Sequence, residues 1–335
     1  MNRVLVALPG LLNDIEQADG WRPIVSHSKI FKVTLADCMT PEVAWLGLDP
    51  LQWKIPQGPI TMSALKQSPP DRAISMHASF GSIDDSHILG KADHWKESEI
   101  SELKAALHQL DTKKLIFVPG HGVDHGLVWL DGSRDMGLTS FEDAQGRPLS
   151  EEWPKGDADP ILKHWIEGCI EILNAHEVNR RRLGEGLTPI NLVWPWGFGT
   201  NVSAVNLPLV QDRLVTYYTS GIRMEGLVRM FGHVQLPSSR AHFGHHTVTF
   251  PHFMDVADPD EMMHGLKKLA SQIGDIGPEE EMRLTVIALG DGAGLGFNYD
   301  SRRRTANSIP FAAEMMEEDL HTFPLHEAVE RALKV

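Results

Sequence analysis

The run RVLVALPG, residues 3–10, is a short apolar stretch closed by a proline-glycine turn. It shows no alternation of polar and apolar residues, so it reads as a strand buried on both faces, as in a largely parallel sheet covered by helices. Working outward, similar runs lie at residues 114–118, 191–194, 213–218 and 283–289. Between them, residues 97–110, 160–175 and 259–273 place apolar side chains three and four apart, which predicts helices. Strand and helix alternate, which predicts an α/β fold. Residues 58–160 have a different texture, rich in Ser, Asp, His and Gly, with strand signals at 73–80 and 126–129. They are expected to form a smaller inserted α+β lobe, leaving 1–57 and 161–335 as the core. Within the insert, residues 138–159 are rich in Pro, Gly and acidic side chains and read as a surface loop.

At 335 residues and 42% apolar content, the chain is long enough for two lobes. A net charge of −14 repels nucleic acid from the average surface, and none is expected as a partner. Two short arginine runs, 180–182 and 302–304, read as solvated faces rather than nucleic-acid sites. The first apolar run is too short to span a bilayer, and no membrane association is expected. Cys38 and Cys169 are far apart and form no CxxC pair, which fits a reducing, cytoplasmic compartment.

Seventeen histidines invite a search for metal sites. His121 and His125 follow the predicted strand at 114–118 in a glycine-rich loop, where with Asp124 they are candidates to converge on zinc or another divalent ion. The competing reading is a polar loop at the rim of the insert. His242, His245, His246 and His252 form a second cluster, equally readable as a loop whose imidazoles bond backbone carbonyls. The glycine-rich run LGDGAGLG, residues 289–296, follows an apolar strand but lacks the Lys-Ser/Thr of a P-loop and reads as a tight turn. Trp194 and Trp196 flank Pro195 at a strand end, either beside a ligand crevice or as packing between lobes.

The stretch NAHEVNRRRLGEGLTPINLVWPWGFG, residues 174–199, closely resembles a segment of the archaeal-type cofactor-independent phosphoglycerate mutases. There the pattern is H-P-V-N-x-x-R, then a glycine, then P-A-N-x-I-x-x-W-G-x-G. His176, Val178, Asn179, Arg182, Gly186, Pro189, Asn191, Trp196, Gly197 and Gly199 fall on it in order. Collinear echoes are LGLDP at 46–50, QGP at 57–59, ASFGSID at 78–84 and GIRMEG at 221–226. The resemblance implies an alkaline-phosphatase-like core with an inserted domain, two divalent metals such as manganese or zinc, and a serine that carries the phosphoryl group. It also makes Asn179, Arg182, Asn191 and Trp196 the expected ligand-binding residues.

The chain departs from that pattern where the chemistry resides. The family's first strand ends in Asp-Gly, whereas here Pro9-Gly10 stands there. Counting back from Leu46 puts Cys38 near the serine position, with Met39 beside it; a buried structural thiol is the competing reading. Asp291 aligns with the aspartate of the last metal motif, but Gly292 replaces its histidine neighbour. The expectation is therefore a degenerate homologue without metal cofactors that binds a phosphorylated small acid or a protein partner. The alternative is an active metal-dependent mutase or phosphatase that uses two metals on replacement ligands, among them His121, His125 and Asp291.

Overall fold

Val4, Leu5, Val6, Ala7 and Leu8 are each at most 2% exposed, so the opening strand β1 (Asn2–Leu8) has no solvent face. A computed structural model supplies the coordinates and describes residues 2–18, 20–36, 40–84, 86–201, 215–242, 247–251, 258–276, 281–290, 293–300 and 320–333. They fall into two compact units, residues 1–54 with 208–335, and residues 55–207.

With strands numbered in chain order, the first unit holds β1, β2 (Lys29–Thr34), β10 (Thr216–Tyr218), β11 (Val234–Leu236), β12 (Thr247–Thr249), β13 (Met282–Leu289), β14 (Ala293–Asp300) and β15 (Thr322–Pro324). They form one sheet in the order β11-β10-β12-β1-β13-β14-β2-β15. The first five are mutually parallel; β14 runs antiparallel to both β13 and β2. Val4, Val6 and Leu8 pack on one face against the helices Leu12–Gln17, Trp21–Ser26 and Pro259–Gly274. The Trp21 indole N–H ties two of those helices by donating to Leu266 O at 3.1 Å. On the sheet's other face, the terminal helix Leu325–Leu333 packs on β1 and on the 3-10 helix Pro41–Leu46. Each fully buried Val or Leu contributes about 1.5–3 kcal/mol, which is why an unbroken apolar run goes to the centre of the sheet.

The second unit is built on β3 (Ile74–Ile83), β4 (Ile88–Lys91), β5 (Leu115–His121), β6 (Asp124–Trp129) and β9 (Leu192–Thr200). Every pairing is antiparallel: β3 has β9 on one edge, and on the other it has β6 followed by β4. One face is covered by the helices Glu97–Leu107 and Asp159–Ala175, the other by the helix Gln57–Ala64.

Two expectations are corrected here. The second unit runs to residue 207 rather than 160, because β9 pairs with β3 along its length and the helix Asp159–Ala175 packs on β9. A strand covered by helices on both sides loses its alternation whatever its direction, so the apolar run at 191–194 did not reveal an antiparallel partner. Residues 138–159 are also more than a loop. They form the short helices Phe141–Ala144 and Leu149–Glu152 and the strand β8 (Lys155–Gly156), which pairs with β7 (Met136–Gly137) just before them, and Phe141 and Ala144 lie in the core. No helix of the described residues is long and apolar enough to cross a membrane.

Candidate functional site

In β3 the sequence ISMHASF places Ser75, His77 and Ser79 on one face and Ile74, Met76, Ala78 and Phe80 on the other. The apolar set joins the core under the long helices. The polar set is buried beneath the helix Gln57–Ala64, which lies unusually close to the sheet. A Cβ on Gly58 would meet Ser75 O at 2.1 Å, and one on Gly197, whose φ is +62°, would meet Gln57 Cβ at 2.6 Å.

A directed chain of hydrogen bonds fills that contact. Gln57 Nε2 donates to Thr61 Oγ1 at 3.3 Å, and the Thr61 hydroxyl donates to His77 Nδ1 at 2.8 Å. His77 Nε2–H then donates to Asp124 Oδ1 at 3.0 Å, with Ser79 Oγ 2.9 Å away, and the Ser79 hydroxyl donates to the same carboxylate at 3.3 Å. Lys91 Nζ sits 3.6 Å from Asp124 Oδ1 at the solvent end. The Trp196 ring lies edge-on to His77 with centroids 5.2 Å apart.

Burial holds His77 below its ordinary pKa, so the ring is neutral and its tautomer follows from its neighbours. An ionised carboxylate only accepts, hence the proton resides on Nε2 and Nδ1 is free to accept from Thr61. Burial works against the charge on Asp124, but the His77 hydrogen bond and the positive charge nearby outweigh it and bring the carboxyl down to about 2. The order hydroxyl, imidazole, carboxylate resembles that of an activated nucleophile. Thr61 is fully buried, however, so no substrate reaches its oxygen. What the chain presents to solvent is the Asp124 carboxylate and the Lys91 ammonium. The chain leaves three buried polar atoms of the same region, Gln57 Oε1, Ser75 Oγ and Trp196 Nε1, without hydrogen-bond partners.

The residues expected to bind a ligand are placed differently. Asn179 is buried, donates to Leu173 O and Ile190 O at 2.8 Å each, and accepts from Ile190 N–H at 2.7 Å. Arg182, 1% exposed, donates to Thr188 O, His94 O, Asp93 O and, at 3.0 Å, to Glu99 Oε2. Asn191 accepts from Ile83 N–H and donates to Ile83 O and Asn174 Oδ1. These three side chains are spent on the scaffold, and the reading of Arg182 as part of a solvated arginine face is likewise corrected. His176 caps the helix Glu177–Gly184 by accepting from Val178 N–H at 3.2 Å. Of the four expected ligand residues, Trp196 alone reaches the polar cluster. Trp194 packs in the core with its indole N–H on Thr139 O.

The proposed metal pair also separates. His121 is exposed at the end of β5, whereas His125 is fully buried between Phe80 and Phe117 and accepts from Gly120 N–H at 2.9 Å. Asp124 precedes His125 on β6 and therefore points to the opposite face, toward His77. Among the described residues, no group of three or more His, Cys, Asp or Glu side chains is arranged to hold a metal. Cys38, Asp291, His245, His246 and His252 lie outside the described residues; His242 hydrogen-bonds the Tyr218 hydroxyl at 2.9 Å.

The model of the 2,3-bisphosphoglycerate-independent phosphoglycerate mutase family matches residues 40–179. Over that segment the chain is similar to those mutases. A Methanothrix thermoacetophila protein described as such a mutase is 29% identical over 176 residues, covering 50% of this chain and 43% of that one. A probable mutase of the same kind from Geobacter sulfurreducens is 35% identical over 109 residues, 32% of this chain and 27% of that one. The matches thus span less than half the length of these two curated relatives. The solved cofactor-independent phosphoglycerate mutase of Thermoplasma acidophilum superposes with a TM-score of 0.55 at 18% identity, covering 99% of both chains. A Pyrococcus horikoshii protein gives 0.67 at 12% identity, covering 100% of this chain and 98% of that one. At these identities the two structures establish the fold, a phosphoglycerate-mutase-like and alkaline-phosphatase-like α/β architecture.

In this phosphoglycerate-mutase-type fold, ligands of an open parallel sheet gather at the carboxyl ends of the strands. After β1 that edge carries Pro9, Gly10 and the buried Leu11 and Leu12; after β10, Thr219 and Ser220; after β12, Phe250 and Pro251; after β13, Gly290. Divalent metals need carboxylate, imidazole or thiolate donors, and these described positions supply none. Among the described residues, the donor set on this edge does not fit a two-metal cluster.

Proposed function

We propose that this chain is a phosphoglycerate-mutase-like protein that has lost the two-metal phosphoryl-transfer site and works as a binding or regulatory homologue. Its occupant is a phosphorylated small acid or a protein partner. The observation that carries this reading is the carboxyl edge of β1, where Pro9 and Gly10 stand in the place of a carboxylate. Metal-assisted phosphoryl transfer needs the ions to neutralise the phosphate oxygens and to activate the nucleophile. A proline side chain offers no donor for either task. The polar cluster of the second unit supports the same reading, since its hydroxyl is buried and only Asp124 and Lys91 meet solvent.

The test is elemental analysis of the purified protein together with a coupled assay for interconversion of 2- and 3-phosphoglycerate, with and without added manganese. A protein free of stoichiometric metal and inactive in both conditions is expected. About two metals per chain together with turnover would overturn the reading and make the chain an enzyme on replacement ligands.

A further inference from the structure

At the opposite end of the parallel sheet from Pro9, strand register assembles a second polar constellation. Arg3 on β1 is paired with Arg283 on β13, which is paired with Asp300 on β14. Paired residues share a face, so these three form one row. Two residues further on, Leu5, Thr285, Asn298 and Lys29 form the next row of the same face, with the Thr285 hydroxyl donating to Asn298 Oδ1 at 2.7 Å. The terminal helix Leu325–Leu333 brings Arg331 over this face, its guanidinium 4.3 Å from the centroid of the Phe323 ring. Phe323 in turn meets Phe31 edge-on at 5.8 Å.

Apart from Leu5, these residues line a cavity of about 530 Å³, within the size range of small-molecule sites. Among the described residues that line it are four cations, Arg3, Lys29, Arg283 and Arg331, and one carboxylate, Asp300, in a chain whose net charge is −14. The acidic contacts of two of these cations are long, 3.7 Å for Arg283 to Asp300 and 3.9 Å for Arg331 to Glu327, and both arginines are themselves exposed, so these pairs hold them loosely. Guanidinium forks match phosphate oxygens, while Phe31 and Phe323 supply an apolar wall.

We infer that this cavity binds a small phosphorylated anion, its phosphate held by Arg3, Arg283 and Arg331 and its less polar part laid along Phe31 and Phe323. Six residue steps along the chain separate Arg3 from Pro9, about 20 Å when extended, so the site is remote from the carboxyl edge. Its ligand acts as an effector: it bridges the terminal helix to β1 and β13 and so stabilises the first unit.

Isothermal titration calorimetry with inorganic pyrophosphate, at a constant ionic strength of about 0.15 M, tests this directly. Saturable binding of about one pyrophosphate per chain is expected, with a Kd below about 1 mM and a melting temperature that rises with ligand concentration. Arg283→Gln and Arg331→Gln each weaken it at least roughly tenfold, about the loss of one charge-assisted bond. Lys114→Gln, on the surface of the second unit, leaves it unchanged. Arg331 is exposed on its helix, so that variant remains folded and decides the matter if Arg283→Gln does not. Absence of saturation up to about 10 mM pyrophosphate, or undiminished binding by a folded Arg331→Gln protein, would overturn the assignment.

Discussion

The two faces of the second unit's sheet bury polar groups by opposite rules. On the face under the helices Glu97–Leu107 and Asp159–Ala175, polar groups are bonded locally within the scaffold: Arg182 to Glu99 and three carbonyls, Asn179 to the backbone, and His125 to Gly120 N–H. On the face under the helix Gln57–Ala64, polar groups are wired in series from Gln57 to Asp124 and reach water at Lys91. The first arrangement can only hold the fold, whereas the second has an outlet. Neighbouring residues show the contrast at its sharpest, for Asp124 and His125 are adjacent in sequence and belong to different faces.

The comparison breaks most visibly at Arg182. Arg182→Met leaves Glu99 buried without its cation and is expected to cost about 3–5 kcal/mol in urea unfolding, because an uncompensated buried charge is the costly outcome. Next comes Asn179→Ala, which orphans Ile190 N–H and takes a donor from each of the Leu173 and Ile190 carbonyls. A loss of about 2–3 kcal/mol is expected, with the melting temperature falling accordingly.

His125 sharpens the contrast through pH. Burial first, and then the nearby Lys104 charge, push its pKa down to about 3, below the unfolded value of about 6.5. The unfolded chain therefore takes up a proton that the folded chain refuses, so this contribution is fully present above about pH 6.5 and is lost as pH falls toward 3. Urea midpoints measured from pH 7 down to about 4.5 should decline more gently in His125→Leu than in the parent, the difference approaching about 1.4 kcal/mol per pH unit. Equal slopes would mean that His125 is not held neutral.

Asp124→Asn on the wet face is expected to cost less, about 1–2 kcal/mol, because water at the rim replaces part of what His77 and Ser79 lose. Smallest of all is Arg180→Ala. Its partner Glu177 is 2.7 Å away, yet both side chains are exposed, and a change within about 0.5 kcal/mol is expected. A large effect there would erase the distinction between Arg180 and Arg182, two residues apart.

Much of the architecture was legible in the chain before any coordinates. The strands at 3–8 and 283–289 and the helices at 97–110, 160–175 and 259–273 all appear, because their periodicity reports burial directly. What periodicity cannot report is the partner of a strand, and so β9 was assigned to the wrong sheet. The candidate site was less legible. The resemblance at 174–199 pointed to Asn179, Arg182 and Asn191 as ligand-binding positions, whereas their side chains are bonded to the turn, helix and strand around them. His77 went unnoticed although its signal was present: Ser75, His77 and Ser79 recur at a spacing of two against four apolar residues, the mark of a strand with one polar face. Asp124 was paired in expectation with His121 and His125 because they are near in sequence, whereas strand alternation sends it to a histidine 47 residues away.

One feature of the topology governs how the chain is made. β1 lies between β12 and β13, and neither exists until residues 247–249 and 282–289 have been synthesised. At about 5–20 residues per second, the opening strand waits roughly 15–55 s on the ribosome for β13. Meanwhile β3 meets β6 after about 50 residues, within roughly 3–10 s, and acquires β9 later. Translation therefore delivers the inserted unit nearly complete while β1 still lacks both of its sheet neighbours, which leaves the apolar run 3–8 exposed during synthesis.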